Sequence, residues 1–119
     1  IIDDEPDLRE IIKLSLEAFT TWKIEMVGSG LEAIQMAMAQ AFDVILLDVS
    51  MPEMDGIQVF EQLRSQPDTV DIPVLLVTAK ARARDRQQFM KMGVTGVVIK
   101  PFNPRLIAKQ IADILGWEI

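Results

Sequence analysis

Short apolar runs alternate with stretches of helical period along the whole chain. Ile1-Ile2 reads as the tail of a buried strand, so a truncated N-terminal strand is the expectation. Asp4 is placed to cap a following helix with Pro6 near its first turn. Leu8, Ile11, Ile12, Ser15, Leu16 and Phe19 then fall on one apolar face. Residues 22–27 alternate as Trp, Lys, Ile, Glu, Met, Val, the pattern of a half-buried strand near a sheet edge. Gly28-Ser29-Gly30 opens a helix over residues 31–40, with Ile34, Ala37 and Met38 inward.

Val44-Ile45-Leu46-Leu47 is a continuous apolar run, as a strand covered on both faces requires. A turn-rich segment, Met51-Pro52-Glu53-Met54-Asp55-Gly56, leads into a helix over residues 57–64. Residues 73–77 form another buried strand, and residues 84–92 another helix, closed by Gly93. Val97-Val98-Ile99 is a fifth strand, followed by Lys100-Pro101 and a final helix over residues 104–115. Five β-α units in strict alternation predict one α/β domain over residues 1–119, a parallel sheet with helices on both faces and right-handed crossovers. Ligands in such sheets sit beyond the carboxyl ends of the strands.

Composition narrows the chemistry. Half of the 119 residues are hydrophobic, enough for a real core. The absence of Cys removes disulfides, Cys-ligated zinc and a cysteine nucleophile. The absence of His removes His-ligated zinc, Ser-His-Asp catalysis and a phosphohistidine carrier role. A net charge of −6 argues against direct nucleic-acid binding. The longest apolar runs fall far short of a membrane span, and no charged-then-apolar leader opens the chain. Cytoplasmic residence with no membrane contact is the expectation.

The residues just after the strands form a short list: Asp3 and Asp4, Asp48, Thr78 and Lys100. Their spacings of 44, 30 and 22 residues each correspond to one or two β-α units, so all should meet at one sheet edge. Three clustered carboxylates repel unless a cation lies between them. Oxygen donors without His or Cys suit a hard divalent ion, and Mg²⁺ takes a few protein oxygens while keeping waters and phosphate oxygens. Lys100 and Thr78 are common partners of phosphate oxygens. A central carboxylate can act as nucleophile, giving an aspartyl phosphate. Singly, Asp4 is more simply a helix cap, Thr78 a strand end and Lys100 a solvated loop lysine. Asp48, closing a doubly covered strand, needs partners.

The strings IIDDEPD, VILLDVSMPEMDG, VLLVTA and VVIKPF, in this order, resemble the receiver domain of two-component response regulators over essentially the whole chain. The resemblance implies a flavodoxin-like (βα)5 three-layer sandwich with strand order 2-1-3-4-5. It implies that Asp48 accepts the phosphoryl group and that Asp3, Asp4 and Asp48, with the main-chain carbonyl of Ser50, hold Mg²⁺. Lys100 would pair with the phosphoryl group, Thr78 would move to hydrogen-bond it, and the Lys100-Pro101 bond would be cis. The implied partners are a sensor histidine kinase or histidine phosphotransfer protein and a downstream effector. The fourth helix, fifth strand and fifth helix would offer a face for a homodimer. Transfer would make the protein a signalling phosphoacceptor rather than a metabolic enzyme.

The chain departs from the family pattern at Val97, where Tyr or Phe is usual, so coupling between Thr78 and a rotating ring is not expected. Lys80 stands where the family varies. Lys80, Arg82, Arg84, Arg86 and Lys91 concentrate five of the 12 basic residues, most simply a solvated face. Met26, Met36, Met38, Met90 and Met92 read as core filler. Two rivals compete. Gly28-Ser29-Gly30-Leu31-Glu32-Ala33 matches G-x-G-x-x-A, with Asp48 20 residues on as a ribose-binding acid, but it occupies the second β-α turn and leaves the other strand-end residues unexplained. NAD should therefore not bind, whereas Mg²⁺ should alter Trp fluorescence or melting. A haloacid dehalogenase-type phosphatase would carry a second Asp where Ser50 stands.

Overall fold

A computed structural model describes residues 1–51, 54–79 and 82–117. The elements run α1 (Pro6–Phe19), α2 (Gly30–Ala39), β1 (Ile45–Asp48), α3 (Gly56–Arg64), β2 (Val74–Thr78), α4 (Ala83–Lys91), β3 (Gly96–Ile99) and α5 (Ile107–Leu115). β1, β2 and β3 form a parallel ladder in that order, with Asp48 opposite Val77 and Thr78 opposite Ile99.

The two expected strands ahead of them are reduced to bridges. Ile2 bridges Val27 on one side and Leu47 on the other, both parallel. Ile1 N and Asp3 N donate to Glu25 O and Val27 O, while Ile2 N donates to Leu46 O and Asp48 N to Ile2 O. The lateral order is therefore Val27, Ile2, β1, β2, β3, which is the flavodoxin-like order 2-1-3-4-5. The predicted strand over residues 22–27 keeps its alternating burial, but it pairs only where Ile1 to Asp3 lie beside it.

Strand pleating divides the apolar runs between two cores, because successive side chains point to opposite faces. Leu46, Leu75, Val77 and Val98 meet Ile12 and Leu16 of α1 and Ile107 and Ile111 of α5. Ile45, Leu47, Val74 and Leu76 meet Ala33 and Ala37 of α2, Val59, Phe60 and Leu63 of α3, and Phe89 of α4. Each strand is thus covered on both sides, as its continuous hydrophobicity predicts.

Several local expectations shift. The cap of α1 is Glu5 rather than Asp4, and the carboxylate of Asp3 accepts the Glu5 N–H at 2.9 Å. On α1 only Ile12 and Leu16 are buried. Ile11 and Phe19 are 45% and 54% exposed, because the predicted apolar face was wider than the stripe that the sheet and α5 cover. Met38 and Met90 are likewise exposed rather than core residues. The last helix starts at Ile107, since Asn103 folds residues 103–106 into turns that accept the N–H groups of Arg105 and Leu106. α3 begins with a capping box: Asp55 accepts from Gln58 N–H and Gln58 Oε1 from Asp55 N–H.

A cavity of about 390 Å³ opens at the amino end of the strands, lined by Ile1, Trp22, Ile24, Phe42, Val44 and Trp117. Trp22 and Trp117 meet there edge to face at 5.4 Å. Both Trp residues therefore lie at the opposite end from the predicted site, and melting is the better reporter of a metal there. No helix among the described residues is long and apolar enough to cross a membrane.

Candidate phosphoacceptor and metal site

Three strand ends and two loops supply the site. Ile2 anchors the first segment in the sheet, which delivers Asp3 and Asp4 just beyond its edge. Asp48 is the last residue of β1, and Thr78 the last of β2. Lys100 follows β3, with its N–H held by Thr78 O at 2.8 Å and its bond to Pro101 cis.

The side chains converge. Lys100 Nζ lies 3.0 Å from Asp48 Oδ1 and 3.6 Å from Asp3 Oδ2. Asp3, Asp4 and Asp48 each offer a carboxylate oxygen within 4.8 Å of the others. Asp3 and Asp48 are 2% and 3% exposed, and Asp4 is half-buried. Thr78 is buried and partnered at the neighbouring strand end. Ser50 is exposed, and its main-chain N–H donates to the Asp48 carboxylate.

Burial pushes the Asp48 carboxyl above its ordinary value, and the Asp3 charge adds to this. The Lys100 hydrogen bond and charge and the Ser50 N–H pull the other way without cancelling the rise. Burial alone would lower the Lys100 ammonium. The hydrogen bond that Lys100 donates to Asp48, then the charges of Asp48, Asp3 and Glu5, outweigh it and hold Lys100 above its usual range.

Three carboxylates against one ammonium leave a formal excess of two negative charges in a small, partly buried cluster. That excess, the all-oxygen donor set and the spacing fit a divalent hard cation. Oxygens on one Mg²⁺ lie about 2.1 Å from it and so at most about 4.2 Å apart, within a small adjustment of the observed spread.

The sequence pattern found five of these residues and missed three others. Gly56 N donates to Val49 O, and a Cβ at Gly56 would lie 2.3 Å from Asp48 O and 2.8 Å from Val49 Cα. Glu5 contributes charge toward Lys100. Arg9 Nη1 donates to the main-chain carbonyl of Asp3 at 3.0 Å. A glycine eight residues past Asp48 was visible in the motif, but the need for its missing Cβ is purely spatial. The G-x-G pair has packing explanations: a Cβ on Gly30 would meet Val59 Cγ2 at 2.5 Å, and one on Gly28 would meet Arg9. Val97 is half-buried against the α2–α4 core, as an aliphatic residue in place of a ring allows. Lys80 lies outside the described residues.

Comparison with known proteins agrees with this architecture. The chain is 36% identical over 115 residues to the transcriptional regulatory protein SrrA of Staphylococcus aureus, covering 97% of this chain and 46% of the relative, so it spans about half of that protein. The chemotaxis response regulator CheY4 of Vibrio cholerae superposes with a TM-score of 0.87 at 30% identity, over 95% of this chain and 93% of that one. The receiver domain of the sensor histidine kinase PA1611 of Pseudomonas aeruginosa, with a magnesium ion coordinated in its active-site cleft, superposes with a TM-score of 0.83. It is 25% identical over 97% of this chain and 93% of that one. Residues 1–112 match the response regulator receiver domain family, and the chain belongs to that family of two-component signalling modules, whose general function is phosphoryl transfer to an Asp.

Proposed function

We propose that Asp48 is the phosphoryl acceptor, that Lys100 and Thr78 assist the transfer, and that Asp3, Asp4, Asp48 and the Ser50 carbonyl hold Mg²⁺. The single observation that supports this reading most is the Lys100 ammonium seated between Asp48 and Asp3, beside three carboxylates within 4.8 Å of one another. A lone structural ion pair would not require the second and third acids.

The donor is a phosphohistidine on a kinase or phosphotransfer protein or domain outside residues 1–119, which hold no His. An Asp48 oxygen forms a bond to phosphorus as the phosphorus–nitrogen bond breaks, and the electron pair returns to the imidazole of the partner. The product is an acyl phosphate on Asp48. Asp48 must be ionised to attack, and pairing with Lys100 favours that form against the burial that opposes it. Lys100 then faces the transferred group and neutralises its oxygens, and the Thr78 hydroxyl donates to one of them. Bound Mg²⁺ supplies charge neutralisation to the phosphoryl oxygens and relieves repulsion among the acids. Positioning and electrostatics do the rest.

Residues 1–119 act as one cytoplasmic receiver unit, with signalling as output rather than metabolic turnover. Its relatives named above serve transcription, chemotaxis and a sensor kinase, so the shared fold leaves the downstream effector to whatever docks on it. The exposed Arg82, Arg84, Arg86 and Lys91 make α4, with β3 and α5, the docking or homodimer face. Charge reversal at Arg84 and Arg86 should abolish partner binding; retained binding removes this assignment.

The decisive experiment is labelling by a small acyl phosphate donor with Mg²⁺. The wild-type chain should take up about one acid-stable, base-labile phosphoryl group, and Asp48→Asn none. Labelling that persists in Asp48→Asn refutes the assignment, and rapid release of phosphate from an ordinary phosphomonoester favours the phosphatase chemistry instead.

A further inference from the structure

The G-x-G motif and one cation beside the site remain outside the chemistry above. Arg9 sits one turn into α1 and donates from Nη1 to the main-chain carbonyl of Asp3 at 3.0 Å. That carbonyl is the first beyond the Ile1–Asp3 pairing with residues 25–27, so the guanidinium fixes the chain where it leaves the sheet. Asp3 is then held at both ends, since its carboxylate accepts the Glu5 N–H and faces Lys100.

Gly28 lies against the same guanidinium. A Cβ there would stand 2.2 Å from Arg9 Nη1 and 3.3 Å from Cζ, so even an alanine would push the guanidinium off its acceptor. Its φ lies outside the left-handed region, so the space, not the backbone conformation, calls for glycine.

We propose that Arg9 and Gly28 form a matched clamp on the Asp3–Asp4 turn, with Arg9 as a positioning residue for the metal carboxylates. This rests on the metal site proposed above. Outer partners that orient ligands commonly change metal affinity by about 10–100-fold when removed. A simple charge effect has the opposite sign: a nearby guanidinium repels a cation, and its removal would tighten binding.

The test is calorimetric titration of the whole chain with Mg²⁺, beside melting without metal. Arg9→Met and Gly28→Ala should each weaken Mg²⁺ about tenfold. The double variant should be no weaker than Arg9→Met, because both changes break one contact. Unchanged or tighter Mg²⁺ binding in Arg9→Met overturns the clamp, as does full additivity. Loss of metal-free melting temperature with Mg²⁺ affinity intact marks a structural role and also overturns it. A wild-type chain that binds no Mg²⁺ removes the site reading itself, a result distinct from variants that bind as well as wild type.

Discussion

Asp48 is costly to keep ionised. Its raised pKa means that the folded chain holds this proton more tightly than the unfolded chain does. The stability linked to that proton is fully present below the ordinary carboxylate value and is lost as pH rises through the raised one, so at neutral pH the ionised Asp48 weighs against folding. Asp48→Asn should therefore melt higher than wild type at pH 7 without metal, and the gain should shrink as the pH is lowered through the Asp48 titration. Melting curves across pH 4–8 check this, and a variant that melts lower throughout refutes it. Lys100 behaves in the opposite sense for function: its raised pKa keeps the ammonium charged, with its share of stability lost only above its ordinary range. The residue proposed to accept the phosphoryl group is thus strained, while the one proposed to meet it is secured.

The start of α3 restrains the site from one side. Its capping box orients the first turn, and Gly56 brings that turn against the backbone of Asp48 and Val49. The neighbouring atoms there are main chain, which cannot rotate away as a side-chain end can. Gly56→Ala should destabilise the fold by about 1–3 kcal/mol and weaken Mg²⁺ binding, because Asp48 must move with its strand. Denaturation and Mg²⁺ titration measure the two effects, and a variant with wild-type values for both contradicts the packing account. Helix placement was readable from the pattern for most elements to within a residue or so, because periodicity is a local signal. The buried stripe of α1 was not. Ile11 and Ile12 are chemically alike, and only the positions of the sheet and α5 decide that Ile12 is covered while Ile11 is not.

For the whole molecule, the five β-α units make one edge carry three acids from two distant segments, and a divalent ion held there as proposed would couple that edge to global stability. At a free Mg²⁺ concentration 100 times its dissociation constant, the native state should gain about 2.7 kcal/mol. The same addition to a chain bearing Asp3→Asn and Asp4→Asn should give little. Equal stabilisation of both chains would place the ion elsewhere. The strand-end residues Asp3, Asp4, Asp48, Thr78 and Lys100 were legible in the sequence because parallel strands with helical crossovers send every carboxyl end to the same side. Their distances were not, and neither were the contacts of Arg9, Gly28, Gly56 and Glu5. These depend on how closely separate segments approach.

The amino-acid order alone determined the alternation of strands and helices, the absence of His and Cys chemistry, and which residues close the strands. Each follows from short-range periodicity, from composition or from connection rules. Only the folded chain decided that the first two strands pair through little more than Ile2 and Val27, that Lys100 lies between two acids, and that a glycine in a nucleotide-like motif makes room for an arginine. Those outcomes are set by contact between residues far apart in sequence, where an ångström of approach decides whether a hydrogen bond or a clash results.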